Sequence, residues 1–224
     1  MDDLGGKKGY LSANYAHKRG ATSYDYLMIE HIFDIGYSKN GGVVLDLACG
    51  TGSFKPIFEG KGFHYHGIDL DNKDPLNNIL NCDIADAILP FADGTFDLVF
   101  FKMGIEHLTI REISHCLAQA KRVMKSDAKL IVITPDWRWT CTYFYDEYTH
   151  QTPFTPISLE SALKMAGFKC DVCRSWIQLP LIWRWPILKY VCDFASLFYP
   201  IFGGRSKFVK FSQLRAVLAI AQKT

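Results

Sequence analysis

The sequence predicts an α/β protein with a seven-stranded, mostly parallel sheet and helices on both faces. Three observations predict it. Apolar runs of strand-forming residues at 43–47, 96–101 and 130–133 alternate with helix-patterned stretches, as a doubly wound sheet requires. The first run ends in Asp46 and passes into Ala48-Cys49-Gly50-Thr51-Gly52, where glycine allows both a left-handed turn and close approach of a ligand to backbone. A further run, 63–71, carries Asp69 17 residues beyond Gly52, close to the roughly 20 expected of an acid that accepts ribose hydroxyls in such sheets. Together these place a nucleotide-like pocket at the carboxyl ends of the strands.

Composition bounds the rest. At 224 residues the chain suits one domain with an elaboration, and its net charge of +2, with both signs interspersed, gives no field that favours nucleic acid. Seven cysteines, spread through expected strands and helices, read as free thiols of a reducing compartment. The polar stretch from Met1 to Lys8 does not resemble a signal peptide, so a cytoplasmic protein is expected. Cys170 and Cys173 form a lone C-x-x-C without a second pair, and no metal centre is expected.

In chain order, residues 1–21 are polar and read as an N-terminal flap, with the domain proper over 22–224. Tyr26, Ile29, Ile32 and Phe33 have helical spacing, Thr22 with Asp25 makes a capping box, and Gly36 ends the helix. Ser53 offers the start of a short helix whose Pro56 fits only a first turn. Residues 80–84 read as the third strand, ending in Asp83 and Ile84, a pair suited to an adenine amino group and ring. Residues 96–101 form the buried middle of the sheet, and 102–108 follow at its carboxyl end, where open α/β sheets bind ligands. A helix over 111–124 and a strand over 129–135 complete this half.

Leu45-Asp46-Leu47-Ala48-Cys49-Gly50-Thr51-Gly52, Gly67-Ile68-Asp69, Cys82-Asp83-Ile84, Leu89-Pro90-Phe91 with Gly94-Thr95-Phe96-Asp97-Leu98-Val99, and Glu106-His107-Leu108 stand in order. This series resembles the motifs of class I S-adenosylmethionine-dependent methyltransferases, in the small-molecule type 11 branch, over residues 40–135. The resemblance implies a Rossmann-like fold with S-adenosylmethionine as cofactor. It implies that Asp46 and the Gly50 to Gly52 backbone hold the methionine moiety, Asp69 the ribose and Asp83 the adenine. Ala48, Leu70, Ile84 and Lys102 join the cofactor-binding set. Ala48 stands where the family has a glycine, and its methyl group is expected to be tolerated. Lys55 occupies the third glycine position of G-x-G-x-x-G, which disfavours a dinucleotide.

The loop 136–150 leaves its strand crowded with aromatic and ionisable side chains, and Ser158 then offers an N-cap for a helix through Ala166. A hydroxyl acceptor needs its proton removed. His150 is the first candidate base because imidazole titrates near neutral pH, with Asp146 four residues earlier to orient it. His107 is the second, and a structural tie of its loop is the alternative. Tyr143, Tyr145 and Tyr148 are expected either to face the sulfonium or to pack the loop. The run 145–155 resembles methyltransferases encoded with bacterial surface-glycan pathways. O-methylation of a sugar hydroxyl, in a surface glycan or a lipid-linked precursor, is the activity this implies. N- or C-methylation of another small molecule or isoprenoid, and a non-catalytic cofactor-binding regulatory subunit, are the alternatives.

Residues 168–176 and 214–221 read as the last two strands, separated by an insertion of about 37 residues, far beyond the roughly 2–5 of a hairpin loop. The insertion, 177–213, is rich in aromatics, among them Trp183, Trp185, Tyr190, Phe194, Phe198, Tyr199 and Phe202. Arg184, Lys189, Asp193 and Pro186 argue against a membrane span. A peripheral contact with the inner membrane face, a cap on the site, and a core or dimer helix are the readings left open.

Overall fold

The computed structural model describes residues 20–196 and 215–223. The expected flap, 1–21, therefore lies outside the described residues except for its last two, as does 197–213 of the insertion with Phe198, Tyr199 and Phe202.

Thr22 caps α1 (Ser23–Gly36) through the expected capping box with Asp25. There follow β1 (Gly42–Leu47), α2 (Lys55–Gly60), β2 (Phe63–Asp69), β3 (Ile79–Asn81), β4 (Phe96–Lys102), α3 (Ile110–Val123) and β5 (Met124–Pro135). The second half adds α4 (Trp137–Thr140), α5 (Pro156–Met165), β6 (Phe168–Ile177), α6 (Pro180–Arg184), α7 (Leu188–Ser196) and β7 (Arg215–Lys223). The seven strands form one Rossmann-like sheet in the order β3-β2-β1-β4-β5-β7-β6. All neighbours are parallel except β7, which runs antiparallel to both β5 and β6.

Side-chain alternation along the strands divides the core in two. Leu45, Leu47, Phe101 and Val132 pack with α3 and α5, whereas Val44, Phe100, Ile131 and Ile220 pack with α1 and α2 on the other face. Since β1 is flanked by β2 on one side and β4 on the other, the chain leaves the sheet in opposite directions at its centre. That topological switch opens a crevice at the strands' carboxyl ends.

Three local expectations are corrected. The third strand stops at Asn81, so Asp83 and Ile84 sit in the turn beyond it. Ser53 starts no helix: α2 begins at Lys55 without a side-chain cap, its entry turned instead by the Gly52 N–H on the Cys49 carbonyl at 3.0 Å. Thr155, not Ser158, caps α5; Pro156 occupies the first turn, where its fixed φ suits the helix, and Ser158 falls at the third position of the capping box.

The described half of the insertion folds onto α1. Trp183 stacks on His31 at 4.7 Å and on Trp176 at 5.1 Å, and its indole N–H donates to the Ile177 carbonyl at 2.8 Å. None of its residues lines the crevice, so no cap is built by this part. Among the described residues, no helix is long and apolar enough to cross a membrane.

Candidate functional site

The crevice is a cleft of about 740 Å³ bounded by the ends of β1, β2 and β4 and by the loop before α5. Asp46 enters it from β1. Tyr65, two residues before its partner Gly67 on the adjacent β2, donates its hydroxyl to Asp46 Oδ2 at 2.8 Å. Burial pushes the Asp46 carboxyl up to about 7, against the opposing pull of the Tyr65 hydroxyl and of the Lys102 charge.

Beyond β1 the backbone turns through positive φ at Ala48 (54°), Gly50 (56°) and Gly52 (73°). Ala48 thus adopts a left-handed conformation that glycine takes freely, which for a residue with a Cβ costs about 1–2 kcal/mol. At Gly52 a Cβ would add to the strained φ a 2.7 Å contact with Ile79 Cδ1, which would have to move. Gly52 shapes the turn and is not among the cleft-lining residues, whereas Asp46, Ala48, Gly50, Asp69, Leu70, Asp83, Ile84 and Lys102 all are.

Asp69, at the end of β2, accepts the Gly50 N–H at 2.8 Å and the Asp71 N–H at 3.0 Å. The carboxylate therefore locks the glycine turn to the second strand. Burial raises its pKa, and these backbone donors oppose the rise. Asp83 Oδ1 accepts the Ala85 N–H at 2.9 Å, which fixes the turn that presents Ile84. Lys102, at the end of β4, lies with its Nζ 5.4 Å from the Phe54 ring centre, and burial lowers its pKa. Among the described residues it makes no ion pair, and it shares the cleft with the carboxyls of Asp46, Asp69, Asp83 and Glu106.

The far end of the cleft is assembled from two segments. The turn after β4 carries Glu106 and His107; the loop before α5 carries Glu147, Thr149 and His150. Gln151 and Thr152 both donate their N–H groups to the Glu106 carbonyl, at 2.8 and 3.0 Å. Gln151 Nε2 reaches the His107 carbonyl at 3.2 Å, and Thr152 Oγ1 the Leu108 carbonyl at 2.6 Å. These bonds bring His107 and His150 to 4.8 Å, ring centre to ring centre. The Glu106 side chain is buried, accepts the Thr134 hydroxyl at 3.0 Å, and has its pKa pushed up to about 7 by desolvation.

Asp146 does not orient His150. It is exposed and outside the cleft lining; the Phe144 carbonyl holds His150 Nδ1 at 2.7 Å instead. Because a carbonyl only accepts, the His150 proton sits on Nδ1 and Nε2 carries the lone pair. His107 Nδ1 lies 2.8 Å from Thr149 Oγ1, which also meets Glu147 Oε1 at 2.9 Å. The three loop tyrosines do not line the cleft: Tyr145 packs on Trp137 and Phe144, and Tyr148 is exposed. The aromatic rings that do line it are Tyr24 of α1 and Phe54. Sequence reading missed Tyr24, Glu147 and Thr149 as lining residues, although the Thr149-His150 pair stands within the loop it singled out.

The acceptor set suits a cationic ligand that carries hydroxyl and amino donors. Carboxylates at the ends of β1 and β2 and in the turn after β3 accept from ammonium, hydroxyl and amino donors, and the bare Gly50 backbone allows close approach.

A family model described as a methyltransferase domain matches residues 4–171. The chain is 31% identical over 125 positions to the demethylmenaquinone methyltransferase of Lactiplantibacillus plantarum, a match covering 44% of this chain and 52% of that protein. The match thus spans about half the length of that curated relative. An S-adenosylmethionine-dependent methyltransferase from Archaeoglobus fulgidus superposes with a TM-score of 0.61 at 17% identity, covering 96% of this chain and 98% of its own. The 1,6-didemethyltoxoflavin-N1-methyltransferase of Burkholderia thailandensis, solved with 1,6-didemethyltoxoflavin and S-adenosylhomocysteine bound, gives 0.61 at 14% identity, covering 90% and 80%. At these identities the two structures bear on the fold alone.

Proposed function

Because the chain belongs to the class I S-adenosylmethionine-dependent methyltransferases, we propose that it methylates a sugar hydroxyl of a surface glycan or of a lipid-linked precursor, with His150 as proton acceptor. S-adenosylmethionine is its cofactor and supplies an activated methyl carbon, whose bond to sulfur breaks as the acceptor bond forms. The residues do the rest. Asp46 and the Gly50 backbone hold the methionine end, Asp69 the ribose, and Asp83 with Ile84 the adenine. The acceptor oxygen gives its proton to His150 Nε2 as its lone pair engages carbon.

One observation carries this reading: His150, at the cleft, donates Nδ1–H to the Phe144 carbonyl, which leaves Nε2 as the ring atom that can take a proton. Alignment of the reactants contributes roughly 7–11 kcal/mol of barrier reduction, and a positioned base about 10²–10⁴ in rate. His150→Ala is therefore expected to lower methyl transfer to sugar hydroxyls by about 10²-fold or more while S-adenosylmethionine affinity is kept. Unchanged turnover in that variant would remove the base from the account. Methyl transfer from labelled cofactor to a panel of free and lipid-linked sugars makes the measurement.

The similarity to a demethylmenaquinone methyltransferase favours a second reading, C-methylation of a demethylmenaquinone-like ring. Including that compound in the acceptor panel separates the two. A peripheral contact with the inner membrane face goes with either acceptor. It is supported by Trp185, Ile187 and Tyr190, each more than half exposed around α6 and α7 beside Arg184 and Lys189.

A further inference from the structure

We propose that Glu106, His107 and His150 form a binding site for a first-row divalent cation at the acceptor end of the cleft. The inference rests on the placement of the acceptor given above and deepens it. Each of the three side chains offers one ligand atom, these atoms lie within 4.8 Å of one another, and all three residues line the cleft. Among the described residues they are the only such group. Two imidazoles and one carboxylate are the donors that suit manganese, iron, cobalt or zinc, whereas an all-oxygen set would suit magnesium or calcium.

Four further observations point the same way. Each donor carries an outer hydrogen bond of the kind that orients metal ligands: Thr134 on Glu106, Thr149 on His107 and the Phe144 carbonyl on His150. The Phe144 carbonyl takes the Nδ1 proton of His150 and leaves Nε2 with the lone pair that a metal requires. Glu106 is 1% exposed, and among the described residues no cation stands within ion-pair distance of it. The four backbone and side-chain bonds from Gln151 and Thr152 to the Glu106 turn hold the two ligand-bearing segments together.

Bonds of about 2.1 Å from an ion to each donor draw the donors to about 3 Å of one another, so binding swings the two half-buried imidazoles toward Glu106. Three protein ligands leave open positions. With the ion bound, His150 Nε2 is a ligand and no longer the base: the ion acidifies an acceptor hydroxyl at an open position so that its proton passes to solvent water, and fixes the oxygen in position.

The test is titration of Co²⁺ into the metal-stripped, full-length, tag-free chain, followed by calorimetry and by the visible absorption of coordinated cobalt. One ion per chain is expected, with affinity weakened about 100-fold or more in His150→Gln and in Glu106→Gln. S-adenosylmethionine titrations of the same variants, expected within about threefold of wild type, show that the cleft is still folded. Absence of stoichiometric binding in the wild type, or binding that survives both substitutions, overturns the site. Methyl transfer to a hydroxyl by the metal-stripped chain at its full rate also overturns it, while leaving the proposed function standing. Cobalt binding without methyl transfer to any hydroxyl supports the site and counts against the sugar acceptor.

Discussion

Asp46 and Glu106 are the cleft carboxyls that burial moves furthest from their chemistry in water. Both carboxyls are buried, and both are raised to about 7 from ordinary values of 3.8 and 4.5. Below those ordinary values the groups are protonated whether the chain is folded or not, and their contribution to stability is fully present. As the pH rises toward 7 the unfolded chain releases protons that the folded chain retains, so stability is lost across that window, on the order of a few kcal/mol for each group. Urea denaturation of the cofactor-free protein is expected to show that decline, and Asp46→Asn, which keeps an acceptor for the Tyr65 hydroxyl, to flatten it. A slope identical to wild type would contradict the buried, proton-retaining carboxyl. Asp46 and Asp69 were legible as cleft residues because acids at strand ends are marked by the apolar runs before them, whereas Asp83, in the turn beyond β3, was marked by the motif resemblance. The partner of His150 was not. Asp146 has the spacing of an orienting acid, but the bond is made by the Phe144 carbonyl, and a backbone acceptor leaves no side-chain signature. Nor does aromatic composition say which way a ring faces, so Tyr24 went unmarked while three loop tyrosines drew attention.

Between elements, the turn after β1 and the turn after β4 touch at one point that explains how alanine is accommodated at position 48. A Cβ on Gly104 would stand 2.9 Å from Ala48 Cβ and 2.6 Å from Phe101 Cε2. The methyl group at 48 is thus housed because position 104 has none. Gly104→Ala is expected to cost about 1–3 kcal/mol by overpacking and to weaken cofactor binding by displacing the Ala48 turn. Adding Ala48→Gly recovers part of both losses. Denaturant midpoints and cofactor titrations of the single and double variants check this; strictly additive effects would mean that the two turns do not couple. Elements marked by side-chain caps, such as α1 with Thr22 and Asp25, were readable in advance. The start of α5 was misread because Thr155 and Ser158 are both good caps, and only the preference of Pro156 for the first turn separates them. The short β3 defeats any pattern argument, since three residues show no period.

Over the whole molecule, the central parallel strands were legible as apolar runs buried on both faces, whereas the place of β7 between β5 and β6 is a pairing that no local pattern encodes. The insertion was visible as excess length, and its anchoring to α1 through Trp183 and His31 was not. Its outward face leads to a prediction at this scale. Flotation with vesicles of anionic lipid is expected for the full chain, and replacing Trp185, Ile187 and Tyr190 together by serine is expected to reduce it several-fold while cofactor binding is retained. Flotation unchanged by the triple substitution would contradict the membrane contact. The cleft at the ends of β1, β2 and β4 is expected to hold S-adenosylmethionine through its acidic turn. Calorimetric titration of S-adenosylmethionine, with NAD in parallel, into wild type and Asp69→Asn tests it most directly. Binding of S-adenosylmethionine alone, weakened about 10-fold or more by the loss of the Asp69 charge, is the predicted result. Equal affinity in the two proteins, or binding of NAD in its place, would contradict it.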